Sequence, residues 1–213
     1  MKFHKDQLLL YAVTDSSWTG KYTLLEQIEQ ALAGGVTFLQ LREKNMKEED
    51  FVKEAIQVRK ICDRYHVPFI INDNLEVAVQ SGADGVHVGI EDMAVSQIRE
   101  RMGKDFIIGA TAKTVEQAWE AQRQGADYLG VGAVFPSPTK KTAIRITKEQ
   151  LQSITGSVDI PCVAIGGITL ENMSEVSGSG IAGTAVVSAI FGAEDIEVAC
   201  RELKEKAKAV TAE

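Results

Sequence analysis

Eight short runs rich in apolar and β-branched residues recur along the chain, at 8–15, 38–44, 69–73, 85–89, 106–112, 128–135, 160–168 and 183–190. Between them lie stretches with a helical period. Phe51, Ala55, Val58, Cys62 and Tyr65 step by four and three and draw one apolar stripe, as do Ile196, Ala199, Leu203, Ala207 and Val210. A strand can lie parallel to its predecessor only after a crossover, so this alternation predicts a parallel sheet with helices on its faces. Eight units in 213 residues fit a closed (β/α)8 TIM barrel, near the ~200-residue lower end of that class. An open doubly wound sheet also alternates strand and helix, but no G-x-G-x-x-G follows the first run. The expectation is an α/β chain forming one catalytic barrel domain over residues 1–213.

Local signals agree with this register. Thr23-x-x-Glu26, Thr114-x-x-Gln117 and Thr147-x-x-Gln150 each read as a capping box at a helix start. A weak repeat, Ser81-Gly82-Ala83-Asp84-Gly85-Val86 and Gln124-Gly125-Ala126-Asp127-Tyr128-Leu129, ends a helix and opens a strand. Gly180-Ile181-Ala182-Gly183 and Gly34-Gly35-Val36-Thr37 are blurred copies. Glycine can stop a helix at positive φ, and the strand then starts at once.

A net charge of −7 argues against nucleic acid and anionic membranes as partners. Any anionic ligand must therefore be held by a local group of cations and backbone N–H donors. Cys62, Cys162 and Cys200 have no metal-ligand spacing and read as small buried thiols. The first residues lack the apolar core of a signal peptide, and no apolar run approaches the ~20 residues of a membrane span. A cytoplasmic location is expected. The sequence leaves oligomeric state open, a homo-oligomer included.

In such a barrel, function collects at the C-terminal ends of the strands. Gln40, Arg42 and Lys44 are spaced by two, so they share one face of the second run, while Leu39 and Leu41 take the other. The leucines should pack under the helices and the polar trio should face the barrel mouth, where buried cations need an anionic partner. Lys44 could instead pair with Glu43 or Glu48 at the rim. The third run ends in Asn72-Asp73, and Glu91-Asp92 follows the fourth. Asp73 and Asp92 could share Mg²⁺ with a phosphorylated ligand, or each could cap the next helix.

The loop after the sixth run, Phe135-Pro136-Ser137-Pro138-Thr139-Lys140-Lys141-Thr142, reads as a clamp that carries Lys140 over a ligand, or as a solvated loop. Gly166-Gly167 after the seventh run and Val187-Ser188 in the eighth stand where these barrels often bind phosphate; a bare Gly-Gly turn is the alternative. His87, with no second histidine nearby, reads as a buried hydrogen-bonded residue in preference to a general base.

Together these pieces resemble thiamine phosphate synthase through nearly the whole chain. The resemblance is carried by Tyr11-Ala12-Val13-Thr14-Asp15, Gln40-Leu41-Arg42-Glu43-Lys44, Ile71-Asn72-Asp73, Gly82-Ala83-Asp84-Gly85-Val86-His87-Val88-Gly89, Thr139-Lys140-Lys141 and Ala164-Ile165-Gly166-Gly167-Ile168. It implies a transferase that joins hydroxymethylpyrimidine diphosphate to thiazole phosphate, giving thiamine phosphate and pyrophosphate, with Mg²⁺ as cofactor. In that reaction pyrophosphate leaves first and the thiazole nitrogen traps the pyrimidine methylene cation. By resemblance, Arg42, Lys44 and Lys140 neutralise the diphosphate, Asp73 and Asp92 hold Mg²⁺, and Gln40 and Asn72 orient the pyrimidine or diphosphate. Ser137, Thr139, Gly167, Val187 and Ser188 cradle the thiazole phosphate. Thr111 keeps a hydroxyl where serine is common, while Ile90 and Lys113 replace a frequent glutamine and histidine.

Two rival readings stand beside this one. A related thiazole tautomerase on the same barrel resembles acid–base work by a histidine where this chain has Lys113, and lacks the full metal and diphosphate set. A non-catalytic sensor of thiazole or thiamine phosphate would have no use for Arg42, Lys44, Asp73 and Asp92.

Overall fold

A computed structural model describes residues 3–136 and 144–212. Eight strands close into one parallel barrel in chain order, with the first paired to the eighth. They are β1 (Leu10–Val13), β2 (Phe38–Leu41), β3 (Phe69–Asn72), β4 (Gly85–Val88), β5 (Ile107–Ala112), β6 (Tyr128–Gly132), β7 (Cys162–Ile165) and β8 (Gly183–Val186). The helices are α1 (Leu24–Ala33), α2 (Glu48–Tyr65), α3 (Leu75–Ser81), α4 (Val95–Met102), α5 (Val115–Gln124), α6 (Lys148–Thr155), α7 (Ser188–Phe191) and α8 (Ile196–Thr211). The expected (β/α)8 barrel is therefore the fold.

Strand alternation divides the interior into two cores. Tyr11, Val13, Phe38, Ile70, Ile107, Tyr128, Val163 and Ala185 point into the barrel. Leu10, Ala12, Leu39, Leu41 and Ile71 point outward and pack with the helical stripes, including Phe51, Ala55, Val58, Cys62, Leu203 and Val210. On α8 the buried stripe is Ile196, Cys200, Leu203, Ala207 and Val210, so Cys200 takes the place expected for Ala199, which is half-buried. All three cysteines are free and buried.

The barrel floor is aromatic. Tyr11 meets Phe38 edge-on with ring centroids 4.7 Å apart, and Phe38 meets Tyr128 in the same way at 5.5 Å. Phe3 packs on this group from the N-terminal segment. Edge-to-face pairs of this kind add about 0.5–1.5 kcal/mol each beyond the area they bury. The plug leaves the opposite, C-terminal end of the strands for polar groups.

The Gly-Ala-Asp repeat has a structural cause. Gly82 and Gly125 end α3 and α5 in the left-handed conformation. Two residues later, Asp84 accepts from the Phe69 amide at 2.8 Å and pairs with Arg59 at 2.6 Å. Asp127 likewise accepts from the Ile108 amide at 2.7 Å and pairs with Arg99 at 2.6 Å. Each aspartate thus ties the amino end of one strand to its neighbour. The capping boxes at Thr23 and Thr147 form. At Thr114 only half does: the hydroxyl caps Gln117, but the Gln117 side chain accepts from the Lys113 amide.

Several runs are shorter as strands than as apolar stretches. The first yields its start to a 3-10 turn, Lys5–Leu8. The second stops at Leu41, because the Arg42 amide leaves the ladder and donates to Thr14 Oγ1 at 2.9 Å. The eighth stops at Val186: Val187 turns the chain at φ −116, ψ −82, and Ser188 opens α7. Apolar runs alone do not distinguish a buried strand from a buried helical turn. The seventh crossover has no full α-helix but a 3-10 turn, Met173–Val176. Its Gly178 and Gly180, both at positive φ, disfavour anything longer.

Candidate active site

One cavity opens at the C-terminal ends of the strands. Gln40, Arg42, Lys44, Asn72, Asp73, Asp92, Thr111, Gly167, Val187 and Ser188 all line it. Sequence reasoning assigned each of these to the site. Ser137, Thr139 and Lys140 lie outside the described residues.

The β2 face splits as the spacing predicts. Leu39 and Leu41 are buried under the helices, while Gln40 sits inside the barrel with 4% exposure. Arg42 and Lys44 lie past the end of β2 but remain on the cavity side. The anionic partner that Arg42 needs is Asp15, just beyond β1, at 3.3 Å. Partial burial opposes ionisation of Asp15, but hydrogen bonds from Ser17 and the charges of Arg42 and Lys44 prevail and hold it below the usual range. Sequence reasoning placed no partner there, although Thr14-Asp15 stands directly after β1. Among the described residues Lys44 makes no ion pair with Glu43 or Glu48.

Asp73 and Asp92 converge from the ends of β3 and β4. Neither caps a helix. Asn74 caps α3 through the Val77 amide, and the residue at the α4 cap position is Ala94. Asp73 adopts the left-handed conformation, φ 61, uncommon for a residue with a Cβ and most tolerated in asparagine and aspartate. Its amide is fixed by the His87 carbonyl at 2.8 Å. Asp92 Oδ2 accepts from the Gly89 amide at 2.6 Å, closing the loop after β4. Although Asp73 as a residue is exposed, loss of hydration where its carboxyl faces Asp92, together with the Asp92 charge, raises it to about 6. The two carboxylates resist joint ionisation, and their oxygens are the ligand type that a hard cation takes. Among the described residues no group of three or more His, Cys, Asp and Glu side chains is placed to hold a metal.

Across the cavity, Gly166 and Gly167 are both left-handed, at φ 102 and 66. A Cβ on Gly167 would fall 2.2 Å from the Pro136 carbonyl oxygen, and one on Gly166 would fall 2.6 Å from Ala133 Cβ. The pair is therefore a tight junction between the β6 and β7 loops. Asn172 Nδ2 holds the Gly167 carbonyl at 2.9 Å.

His87 is buried, with Nδ1 3.1 Å from the Tyr128 hydroxyl and Nε2 3.1 Å from Thr111 Oγ1. Burial pushes it down to about 4, so it is a neutral, hydrogen-bonded residue. Lys113, noted in the sequence only as a departure, also lines the cavity, whereas Ile90 is half exposed and does not. Among the described residues no helix is long and apolar enough to cross a membrane.

Residues 10–190 match the sequence model of a family described as thiamine monophosphate synthase. The chain is 48% identical to thiamine-phosphate synthase of Ruminiclostridium cellulolyticum over 92% of this chain and 93% of that one. It is 46% identical to the enzyme of the same name from Methanobrevibacter smithii over 95% and 96%. Among solved structures, thiamine phosphate pyrophosphorylase from Pyrococcus furiosus superposes with a TM-score of 0.89 at 39% identity, covering 97% of this chain and 98% of that one. A 3-hexulose-6-phosphate synthase superposes with a TM-score of 0.68 at 14% identity, over 93% of this chain and 99% of that one, a likeness of fold alone.

Proposed function

The chain belongs to the thiamine monophosphate synthase family of transferases, and from that premise we propose that its cavity joins hydroxymethylpyrimidine diphosphate to thiazole phosphate, releasing pyrophosphate. The observation that carries this reading is the convergence of Arg42, Lys44 and Lys113 with the Asp73–Asp92 pair on the wall facing Gly166-Gly167. The reaction needs little proton transfer. It needs charge stabilisation of a leaving diphosphate, exclusion of water and close positioning of two reactants.

Arg42 and Lys44 would neutralise diphosphate oxygens as the carbon–oxygen bond breaks, with Lys113 beside them and Lys140 as a further cation. Asp15 keeps the Arg42 guanidinium in place. Asp73 and Asp92 would hold Mg²⁺, which when bound supplies positive charge to the departing diphosphate. Gln40 and Asn72 would orient the pyrimidine, and Thr111 would donate to the diphosphate. Gly167, Val187 and Ser188, with Ser137 and Thr139, would hold the thiazole phosphate so that its ring nitrogen faces the pyrimidine methylene carbon. The apolar walls of Val163, Ile165 and Ala185 keep water from capturing that carbon.

The tautomerase reading asks for a free histidine in the cavity. Among the described residues the one histidine there, His87, has both ring nitrogens engaged. The decisive assay measures pyrophosphate release with both substrates, with and without Mg²⁺. Mg²⁺-dependent release is expected; turnover of a thiazole precursor with no pyrimidine diphosphate present would replace this assignment.

A further inference from the structure

Five side chains form one continuous hydrogen-bonded chain across the barrel interior. Gln40 Nε2 donates to the Tyr11 hydroxyl at 2.5 Å, and the Tyr11 and Tyr128 hydroxyls stand 2.8 Å apart. The Tyr128 hydroxyl meets His87 Nδ1 at 3.1 Å, and His87 Nε2 meets Thr111 Oγ1 at 3.1 Å. Both ends, Gln40 and Thr111, line the cavity. Tyr11 and His87 also touch the cavity wall, but the middle of the chain is buried: Tyr11 is 1%, Tyr128 0% and His87 8% exposed.

The backbone makes room for this chain. Across β4, β5 and β6 the register places His87 beside Gly109 and Gly109 beside Tyr128. A Cβ on Gly109 would lie 2.2 Å from the Tyr128 ring and 2.5 Å from His87 Nδ1. One on Gly130 would lie 3.1 Å from the His87 ring. Both positions are empty of side chain where the His87–Tyr128 contact passes.

Counting donors leaves only two orders for the protons. With Gln40 Nε2 on Tyr11, the Tyr11 proton goes to Tyr128, the Tyr128 proton to His87 Nδ1, and the ring proton on Nε2 to Thr111. The cavity then faces the Gln40 carbonyl oxygen, an acceptor, and the Thr111 hydroxyl hydrogen, a donor. Turning the Gln40 amide over reverses every bond, and the cavity faces an amide NH₂ and a Thr111 lone pair. Any mixed order leaves a buried donor or acceptor without a partner, which the interior penalises. Burial keeps His87 neutral and pushes both tyrosines up, so no charge enters the chain near neutral pH.

We propose that this chain couples the two ends of the diphosphate substrate's site: an amino group accepted by Gln40 sets Thr111 to donate to an anionic oxygen. Recognition of an aminopyrimidine and grip on its diphosphate are then one event. The proposal rests on the substrate reading above. Tyr11, His87 and Tyr128 act through Gln40 and Thr111 and are positioning residues.

The test is calorimetric titration of the full chain with inorganic pyrophosphate and Mg²⁺, alone and with saturating aminopyrimidine alcohol. In the unmodified protein the pyrimidine should tighten pyrophosphate about fivefold or more, the lower end of ordinary site-to-site coupling. An analogue with a carbonyl in place of the amine selects the reversed order and should weaken pyrophosphate instead. Tyr128→Phe and Tyr11→Phe, checked by circular dichroism and melting, should bring the coupling factor to about one, a change that lost stability alone does not produce. Undiminished coupling in both folded variants, or equal effects of the amine and the carbonyl analogue on the unmodified protein, would overturn the proposal. Failure of the aminopyrimidine to bind at all would instead overturn the substrate reading, and the coupling with it.

Discussion

Arg42 and Asp73 illustrate how a single side chain is tuned by what faces it. Arg42 stands partly buried against Asp15 with the rest of its guanidinium toward the cavity. Replacing either Arg42 or Asp73 with alanine should lower turnover by about a hundredfold or more, the scale of losing one group that stabilises transition-state charge. Steady-state pyrophosphate release checks this, and near-normal rates would remove the residue from the mechanism. A second acidic pair lies outside the cavity lining. Burial raises Glu43 and Glu54, each also feels a neighbouring carboxylate, and each has a buried oxygen with no hydrogen-bond partner among the described residues. A carboxyl raised on folding binds its proton more tightly in the native state, so its ionisation costs stability as pH rises. Glu54→Gln should therefore raise the urea midpoint at pH 8, and the gain should fade toward pH 4.5.

At the scale of elements, function depends on where strands stop. β2 ends at Leu41 and β8 at Val186, so Arg42 and Lys44 lie past a strand end and Ser188 opens α7, and all three line the cavity from strands that flank β1. The β6–β7 junction relies on two consecutive left-handed glycines. Gly167→Ala would place a Cβ against the Pro136 carbonyl at a φ that alanine resists. The expected outcome is a rise of about tenfold or more in KM for thiazole phosphate, with a smaller change for the pyrimidine diphosphate, since uniform binding of one substrate is lost. Equal effects on both substrates would place the junction outside the acceptor site. The eight apolar runs and the helical stripes were legible in sequence because periods of two and 3.6 carry that information directly. The ends were not, because strand termination at Arg42 is decided by a hydroxyl on a neighbouring strand, Thr14.

The whole barrel also sets the protein's response to acid. His87 is held neutral inside a closed ring of strands, with its value pushed from 6.5 down to about 4. Here the unfolded chain binds a proton that the native state refuses, so stability is full above about pH 6.5 and falls as pH drops toward 4. The shift corresponds to about 3 kcal/mol at most. Urea unfolding of the native chain and of His87→Gln at pH 7.5 and 4.5 should show this as a loss larger in the native chain. Equal losses in the two proteins would mean that other groups govern acid unfolding.

Sequence alone determined the parallel barrel, the division of β2 into a leucine face and a polar face, and the gathering of Gln40, Arg42, Lys44, Asn72, Asp73 and Asp92 at one end. Those conclusions follow from chain-local periodicity and from the rule that parallel strands return through crossovers. Tertiary structure decided what those residues touch. Asp15 as the partner of Arg42, the mutual repulsion of Asp73 and Asp92, the place of Lys113 in the cavity wall, and the hydrogen-bonded path from Gln40 through Tyr11, Tyr128 and His87 to Thr111 join residues far apart in the chain. Such contacts depend on strand register and on the space left by Gly109 and Gly130, which no local pattern encodes.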